Sequence, residues 1–351
     1  MKKERIDSFD FMRSVTAWLI VIYHFAGICV TTPQFQNFPF LYTHANGVWG
    51  ENTSVNIFFM LSGASLYYNH ADISPSSLKR YYFDRFKGIF PMLYMVWFFL
   101  YYQKATTVGN LFYNGSPKSM LLTLIGMDGY LSYRCQPNYY FIGEWFIGAL
   151  VLLYLVYPLL VWCMKHLQIP VTLLLGLGTF SLAADRVQAH FIIQRERNLI
   201  VCMFAFWLGM LFMEHKDALS AWWITALIGG LAVLFLLVPM PFDPFICIQI
   251  IPVGLFLLSY QAGRYVMKNS TAKRFFAYTG SISYAIFLLQ HVVMSQILDL
   301  FKAYSLTVPQ EFLIMAATFV MIYLFADIVT RLNKMLTHSG WFLKIQSVFY
   351  A

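Results

Sequence analysis

Long apolar segments separated by short polar connections dominate the hydrophobic pattern of this chain of 351 residues. A helix needs about 20 apolar residues to cross a bilayer, with some tolerance for tilt. The pattern predicts spans at 11–31, 51–69, 88–103, 142–164, 170–185, 199–213, 221–239, 245–266, 281–301 and 311–333. The third, fifth and sixth of these are short, so one of them could be broken or re-entrant. We therefore expect an all-α polytopic membrane helix bundle of about ten transmembrane helices.

The composition agrees with a membrane protein. Hydrophobic residues make up 59% of the chain and charged residues only 11%, and the mean hydropathy is +0.61. Soluble domains carry about 25% charged residues. No polar block is long enough to fold by itself, so we expect a single integral membrane domain over residues 1–351 with no fused soluble domain. Any chemistry must then lie within the bundle or on its short loops.

The net charge of +8 has two interpretations. Most Lys and Arg residues fall on the side that holds both ends of the chain, which places both termini in the cytoplasm by the positive-inside rule. An anionic partner such as nucleic acid is the alternative, but no basic cluster carries interleaved base-stacking residues, so we expect none. The 5 cysteines show no CxxC spacing. They indicate neither a metal site nor a disulfide framework.

The first apolar segment carries charge that a lipid-facing helix would not need. Arg13 and His24 are eleven residues apart, which on an α-helix is about 16 Å of rise and about three turns, so both side chains leave one face. Asp10 joins that face one turn earlier. A charged side chain at membrane depth costs free energy, so we expect either a function or a buried partner for these residues.

Two further polar residues lie at membrane depth. His291 in the ninth span is about 16 Å from the cytoplasmic side, near the depth of His24. A neutral histidine can remove a proton from an attacking alcohol, although either ring could instead be satisfied by a neighbouring backbone or hydroxyl group. Asp327 in the tenth span lies at a depth where it could form a structural ion pair with Arg13.

Four basic residues crowd at the cytoplasmic start of the third span: Lys79, Arg80, Arg85 and Lys87. Such a cluster suits membrane anchors whose charged ends reach the surface. It also suits the phosphates of a nucleotide-bearing donor such as coenzyme A. The chain has no Walker-type loop and no GxGxxG sequence, so the folds built on a phosphate-cradling turn are not indicated.

Candidate acceptor contacts lie in other spans. Glu144 and Trp145 open the fourth span from the outside, where a carboxylate could contact an acceptor or simply face water. Ser62 beside Gly63 could touch a ligand, although close helix packing is the commoner role of such a glycine. The outer loop 103–141 is rich in tyrosine, which suits both an interfacial belt and sugar binding.

The motifs follow one another along the whole chain. They are Asp10-x-x-Arg13 with His24 after ten further residues, Phe58-Phe-Met-Leu-Ser-Gly63, the basic run ending Ile89-Phe-Pro91, Trp145-Phe with Tyr154 and Pro158, and Gly280-Ser-x-Ser-Tyr284 through His291. Together they resemble the acyltransferase-3 family of integral membrane O-acyltransferases. The resemblance implies transfer of an acyl group, usually acetyl, from acetyl-CoA at the cytoplasmic side. The acceptor it implies is a hydroxyl of a cell-surface glycan or a lipid-linked saccharide, at the cell membrane.

The resemblance also assigns roles to residues. In the family, the positions of Arg13 and His24 are tied to activity, and an Arg-x-x-Arg pair before the third span is tied to the donor. Arg85 matches the first member of that pair, but Gly88 stands at the second, with Lys87 beside it. A lysine lacks the bidentate fork of arginine, so the resemblance alone does not decide whether Lys87 substitutes.

The resulting hypothesis makes His24 the general base or a transient acyl carrier, with Arg13 orienting it or holding the donor and His291 as a further catalytic residue. Arg85, Lys87, Arg80 and Lys79 bind the donor, and Glu144, Trp145 and Ser62 contact the acceptor. No metal is required. A transporter or flippase of sugars or small solutes is the main alternative, because intramembrane Arg, His and Asp also build proton relays. A sensor or scaffold without turnover is a second alternative, which the departure at Gly88 leaves open.

Overall fold

The computed structural model of the protein describes residues 4–35, 40–139, 142 and 145–350. Helices make up most of this part of the chain. They are α1 Asp7–Thr31, α2 Val55–His70, α3 Leu78–Val108, α4 Met120–Leu124, α5 Trp145–His166, α6 Gln168–Ser181, α7 Asp185–Gln188, α8 Leu199–Glu214, α9 Lys216–Leu219, α10 Trp222–Leu237, α11 Pro244–Val266, α12 Ser270–Asp299, α13 Val308–Thr337 and α14 Gly340–Tyr350. A short antiparallel hairpin pairs β1, Thr43–His44, with β2, Gly47–Val48. The expected all-α class is confirmed.

A helix lies over each predicted span, and two of the helices begin well before the apolar residues do. α3 starts at Leu78 rather than near 88, and α12 starts at Ser270 rather than 281. Hydropathy detects only the apolar part of a helix, whereas a polar cap such as Asn269 starts the helix earlier. Among the described residues, five helices are long and apolar enough to cross a membrane: α1, α5, α11, α12 and α13. The ten-span count and the cytoplasmic termini stay predictions.

Helix α1 packs against α2, α11, α12 and α13. Two glycines allow this close packing at its polar end. A Cβ on Gly263 of α11 would lie 3.0 Å from Cα of Ser8, and a Cβ on Gly280 of α12 would lie 3.2 Å from Cα of Asp10. Any larger residue would push these helices away from α1. The glycines therefore help to enclose Asp10, which is buried.

Helices α2 and α8 approach each other through a reciprocal pair of glycines. A Cβ on Gly63 would overlap the carbonyl oxygen of Phe206, and a Cβ on Gly209 would overlap the carbonyl oxygen of Met60. Small residues of this kind let two membrane helices bring their backbones into contact. Close packing is thus the role that the structure gives to Gly63.

The connection 103–139 is exposed over much of its length, but several of its side chains are packed. Tyr130 and Tyr139 are buried, and so is Asn138, whose Nδ2 donates to the carbonyl oxygens of Asp128 at 3.0 Å and Cys135 at 2.9 Å. These side chains stabilise the loop, because buried polar groups need such partners. Tyr133 is exposed and remains available to a ligand.

Candidate active site

The charged end of α1 is a small network of side chains. Arg13 Nη1 donates to Asp10 Oδ1 at 3.3 Å, across one helical turn, and Arg13 Nη2 donates to Ser65 Oγ of α2 at 2.8 Å. Arg5 Nη2 lies 2.7 Å from the other carboxylate oxygen of Asp10. One buried carboxylate therefore serves two guanidinium groups, and the network keeps an excess positive charge.

A cavity of about 670 Å³ opens beside this network, between α1, α2, α3, α5 and α12. Arg13 and Arg85 both line it, whereas the described residues of its wall include no carboxylate. Ser62 Oγ and the Tyr154 hydroxyl, 2.9 Å apart, form a polar patch on the wall. Apolar rings close the far side: Phe58, Phe146 and Phe287. The arrangement is an electropositive pocket with an apolar end.

Arg85 has few partners for its charge. Its guanidinium carbon lies 5.7 Å from the ring centroid of Tyr81 and 5.8 Å from that of Tyr154, which are cation–π distances. Its Nε is buried and has no hydrogen-bond partner among the described residues. A buried donor without a partner costs free energy, and an anion in the cavity would supply one.

The other basic residues of α3 face away from the cavity. Lys87 Nζ donates to Gln346 Oε1 of α14 at 2.8 Å. Lys79 lines a separate apolar groove formed with α14. Gly88 does line the cavity, and a Cβ added there would meet nothing within 4 Å. Lys87 therefore does not extend into the cavity space that a longer side chain at position 88 would occupy.

Arg80 lies at a second opening. Its guanidinium carbon is 4.6 Å from the Tyr350 ring, and its Nε is 4.0 Å from Asp84 Oδ2. Arg80 and Asp84 line a neighbouring cavity of about 290 Å³. Asn69 and His70, at the end of α2, line both this cavity and the larger one. The two cavities therefore adjoin at the end of α2.

The two membrane-depth histidines meet. The ring centroids of His24 on α1 and His291 on α12 are 4.1 Å apart. Phe287, which closes the apolar end of the cavity, lies one helical turn before His291. The pair therefore stands just past the apolar end, about 16 Å along α1 from Arg13.

The comparisons with known proteins bear on this arrangement. The family model described as an acyltransferase domain matches residues 6–331. The chain belongs to the acyltransferase-3 family. It is therefore an acyltransferase, and its apolar helices make it a multi-pass membrane protein. No curated protein and no solved structure matches the chain.

Two residues of the acyltransferase lie away from their expected partners. Asp327 Oδ2 is 2.7 Å from Arg331 Nε, one turn further along α13, whereas Arg13 pairs with Asp10. The predicted ion pair between Asp327 and Arg13 is therefore not the one that the structure forms. Trp145 is buried against Phe59, with ring centroids 6.2 Å apart, and Trp145 is not part of the cavity wall. Glu144 lies outside the described residues.

Two arginines in the connection between α7 and α8 of the acyltransferase, Arg195 and Arg197, have protein partners. Arg195 Nη1 donates to Asp243 Oδ2 at 3.0 Å, and Asp243 Oδ1 accepts from the Phe245 N–H at 2.8 Å at the start of α11. Burial acts to raise the pKa of Asp243, but these hydrogen bonds outweigh it and hold the pKa below its usual value. Arg197 places its guanidinium carbon 5.6 Å from the Trp145 ring.

Sequence reasoning missed part of the cavity wall. Ser65, Asn69 and His70 line it together with Ser62. Ser62, Ser65 and Asn69 recur at spacings of three and four, which puts them on one face of an otherwise apolar helix. This row of polar residues could have predicted from the sequence that α2 lines a polar cavity.

Proposed function

We propose that this acyltransferase moves an acetyl group from acetyl-CoA, bound at the cytoplasmic side of the cell membrane, to a hydroxyl of a cell-surface glycan or a lipid-linked saccharide. The observation that carries the proposal is the cavity beside α1. It holds two guanidinium groups, one with a buried unpartnered donor, and an apolar end whose Phe287 lies one helical turn before His291 of the histidine pair. A donor with an anionic end and a long neutral arm fits a cavity that is electropositive at one end and apolar at the other.

The donor end of the cavity suits phosphate groups. Arg13 and Arg85 supply charge-assisted hydrogen bonds, and the absence of a carboxylate from the described wall leaves the anion without a like charge beside it. The adjoining cavity at Asn69, His70 and Arg80, which Asp72 and Asp84 also line, gives the nucleotide end of the donor further room. The pantetheine arm then runs along the apolar rings toward α12.

The chemical step belongs at the histidine pair. In this proposal His24 accepts the proton of the acceptor hydroxyl while the oxygen attacks the thioester carbon. A C–O bond forms, the C–S bond breaks, and the coenzyme A thiolate leaves with the bonding pair. The proton on His24 then passes to the thiolate or to solvent, and His291, with its ring 4.1 Å away, helps to hold the His24 ring in place. An extended pantetheine arm is comparable in length to the separation between Arg13 and His24, about 16 Å.

The test is the affinity of the purified full-length protein for radiolabelled acetyl-CoA. Replacing Arg85 with Ala removes one guanidinium from the cavity and should weaken binding by about tenfold or more, since a hydrogen bond to a charged group contributes about 1.5–3 kcal/mol. Arg274→Ala is the matched control, because it removes an exposed arginine on the same predicted side of the membrane. An unchanged affinity in Arg85→Ala would exclude the cavity as the donor site.

A further inference from the structure

The C-terminal helix α14 holds one face of the cytoplasmic end of α3. Lys87 Nζ donates to Gln346 Oε1 at 2.8 Å, and the Tyr350 hydroxyl donates to Asp84 Oδ1 at 2.5 Å. Between these two contacts, the ring of Phe83 stacks on Phe349 with centroids 4.7 Å apart. The contacts extend along most of α14, which lies beyond the region 6–331 matched by the family.

This end of α3 needs external support. Pro91 lies inside the helix and has no N–H to donate to the carbonyl of Lys87, four residues earlier. Gly88 adds a residue of low helix propensity at the same place, with no neighbour within 4 Å of where a Cβ would be. Helix kinks arise at such positions. The segment Leu78–Lys87 is therefore attached to the membrane part of α3 through a weak point.

Contacts with α5 and with α14 hold this segment. Toward α5, the hydroxyls of Tyr81 and Tyr82 donate to the carbonyl oxygens of Tyr154 and Leu155, both at 3.0 Å. Arg85 lies between the residues that α14 holds, so a rotation of the segment moves its guanidinium relative to Arg13.

The surface of α14 fixes where the helix can lie. Phe342 is buried toward α3 and α13, whereas Trp341 and Val348 are 57% and 70% exposed. An amphipathic helix with exposed apolar side chains at a membrane-spanning bundle rests in the lipid interface. This placement would anchor α14 against the end of α3.

We propose that α14 is a brace that sets the rotation of the cytoplasmic end of α3 and so positions Arg85 in the cavity. Gln346 and Tyr350 are then positioning residues for donor binding, and Lys87 serves the brace rather than the donor. The inference rests on the proposed function, because it takes the cavity to be the donor site.

Opposite charges at one position of α14 provide the experiment. Gln346→Lys places a cation beside Lys87 and should separate the two helices, whereas the carboxylate introduced by Gln346→Glu attracts Lys87 and keeps them together. We expect Gln346→Lys to weaken the binding of acetyl-CoA by about fivefold or more, the lower end of typical coupling between sites, and Gln346→Glu to leave it unchanged. Ser347→Ala, on the exposed side of α14, is the control.

The outcomes separate this inference from the proposed function. Both Gln346 variants should still unfold cooperatively, with Gln346→Lys losing no more than the few contacts of α14, which distinguishes a change of position from a loss of fold. If Arg85→Ala weakens binding while Gln346→Lys and Gln346→Glu bind alike, the brace is refuted and the donor site stands. If Arg85→Ala leaves binding unchanged, the donor site fails and the inference fails with it. Equal weakening by both charges at position 346 also refutes the brace.

Discussion

The contact between α2 and α8 offers a strong test of the packing around the cavity. In Gly63→Ala, the added methyl group would overlap the carbonyl oxygen of Phe206, lie 2.9 Å from its carbonyl carbon and 3.3 Å from the Met210 nitrogen. All three atoms belong to backbone within α8, so no side chain can rotate away. The two helices must separate, and overpacking of this kind costs about 1–3 kcal/mol of stability.

The expected result is a lower thermal unfolding temperature of the purified full-length protein in detergent. Gly230→Ala is the matched control, because Gly230 also lies inside a helix and a Cβ there would meet nothing within 4 Å. That change should stabilise the helix by up to about 1 kcal/mol. If Gly63→Ala lowers the stability and Gly230→Ala raises it, the difference measures the cost of the close contact between α2 and α8.

Gly209 of α8 provides a second test of the same contact. Gly209→Ala should be destabilising as well, because its methyl group would overlap the carbonyl oxygen of Met60. Once one substitution has separated the helices the second costs less, so the double variant should lose less stability than the sum of the two single losses. Because Ser62 and Ser65 belong to α2, the same substitutions should also weaken donor binding. A Gly63→Ala variant as stable as Gly230→Ala would refute the close packing.

Three further predictions concern the charged groups. Asp243→Ala should lower the unfolding temperature at pH 7 by removing the cap of α11 and the partner of Arg195. Because the pKa of Asp243 is held below its usual value, this stabilisation is present above the unfolded pKa of about 4 and is lost as the pH falls through the folded pKa. The unfolding temperatures of wild type and variant should therefore converge in acid, and a difference that stays constant with pH would contradict the reasoning. Arg13→Lys should weaken acetyl-CoA binding about tenfold, because a single ammonium cannot hold both Asp10 and Ser65 as the fork does; wild-type affinity would show that the fork is not needed. Gly88→Arg should tighten binding, since the new side chain has open space and adds a third guanidinium to the wall; weaker binding in a filter assay would show that the space is needed by the donor.

The sequence predicted well what depends on position along one helix. The shared helix face of Arg13 and His24 and the matching depth of His24 and His291 follow from the rotation and rise per residue, and the two histidines do lie together. The polar face of α2 also follows from residue spacing, although only Ser62 of its cavity-lining residues was predicted. Apolar segments located the helices because a bilayer imposes their length and character.

What depends on the rotation of one helix against another was not predictable. Lys87 and Arg85 are two residues apart, so they leave α3 on nearly opposite faces, but which of the two faces the cavity depends on how α3 packs against its neighbours. Asp327 pairs with Arg331, one turn away on its own helix. The spacing of four residues permits this pair, but the depth of Asp327 in the membrane does not distinguish Arg331 from Arg13 as its partner.

The central claim is acyl transfer with His24 as the general base, and its most direct test is the acyl content of surface glycans measured by mass spectrometry and NMR in cells that express wild type, His24→Ala or His190→Ala. His190 is an exposed loop histidine and serves as the control. Loss of a general base reduces a rate by about 10²–10⁴-fold. We expect His24→Ala to reach the membrane in normal amounts and to add at least about a hundredfold less acyl group per unit time than wild type or His190→Ala. Acylation at the wild-type rate by His24→Ala would contradict the account.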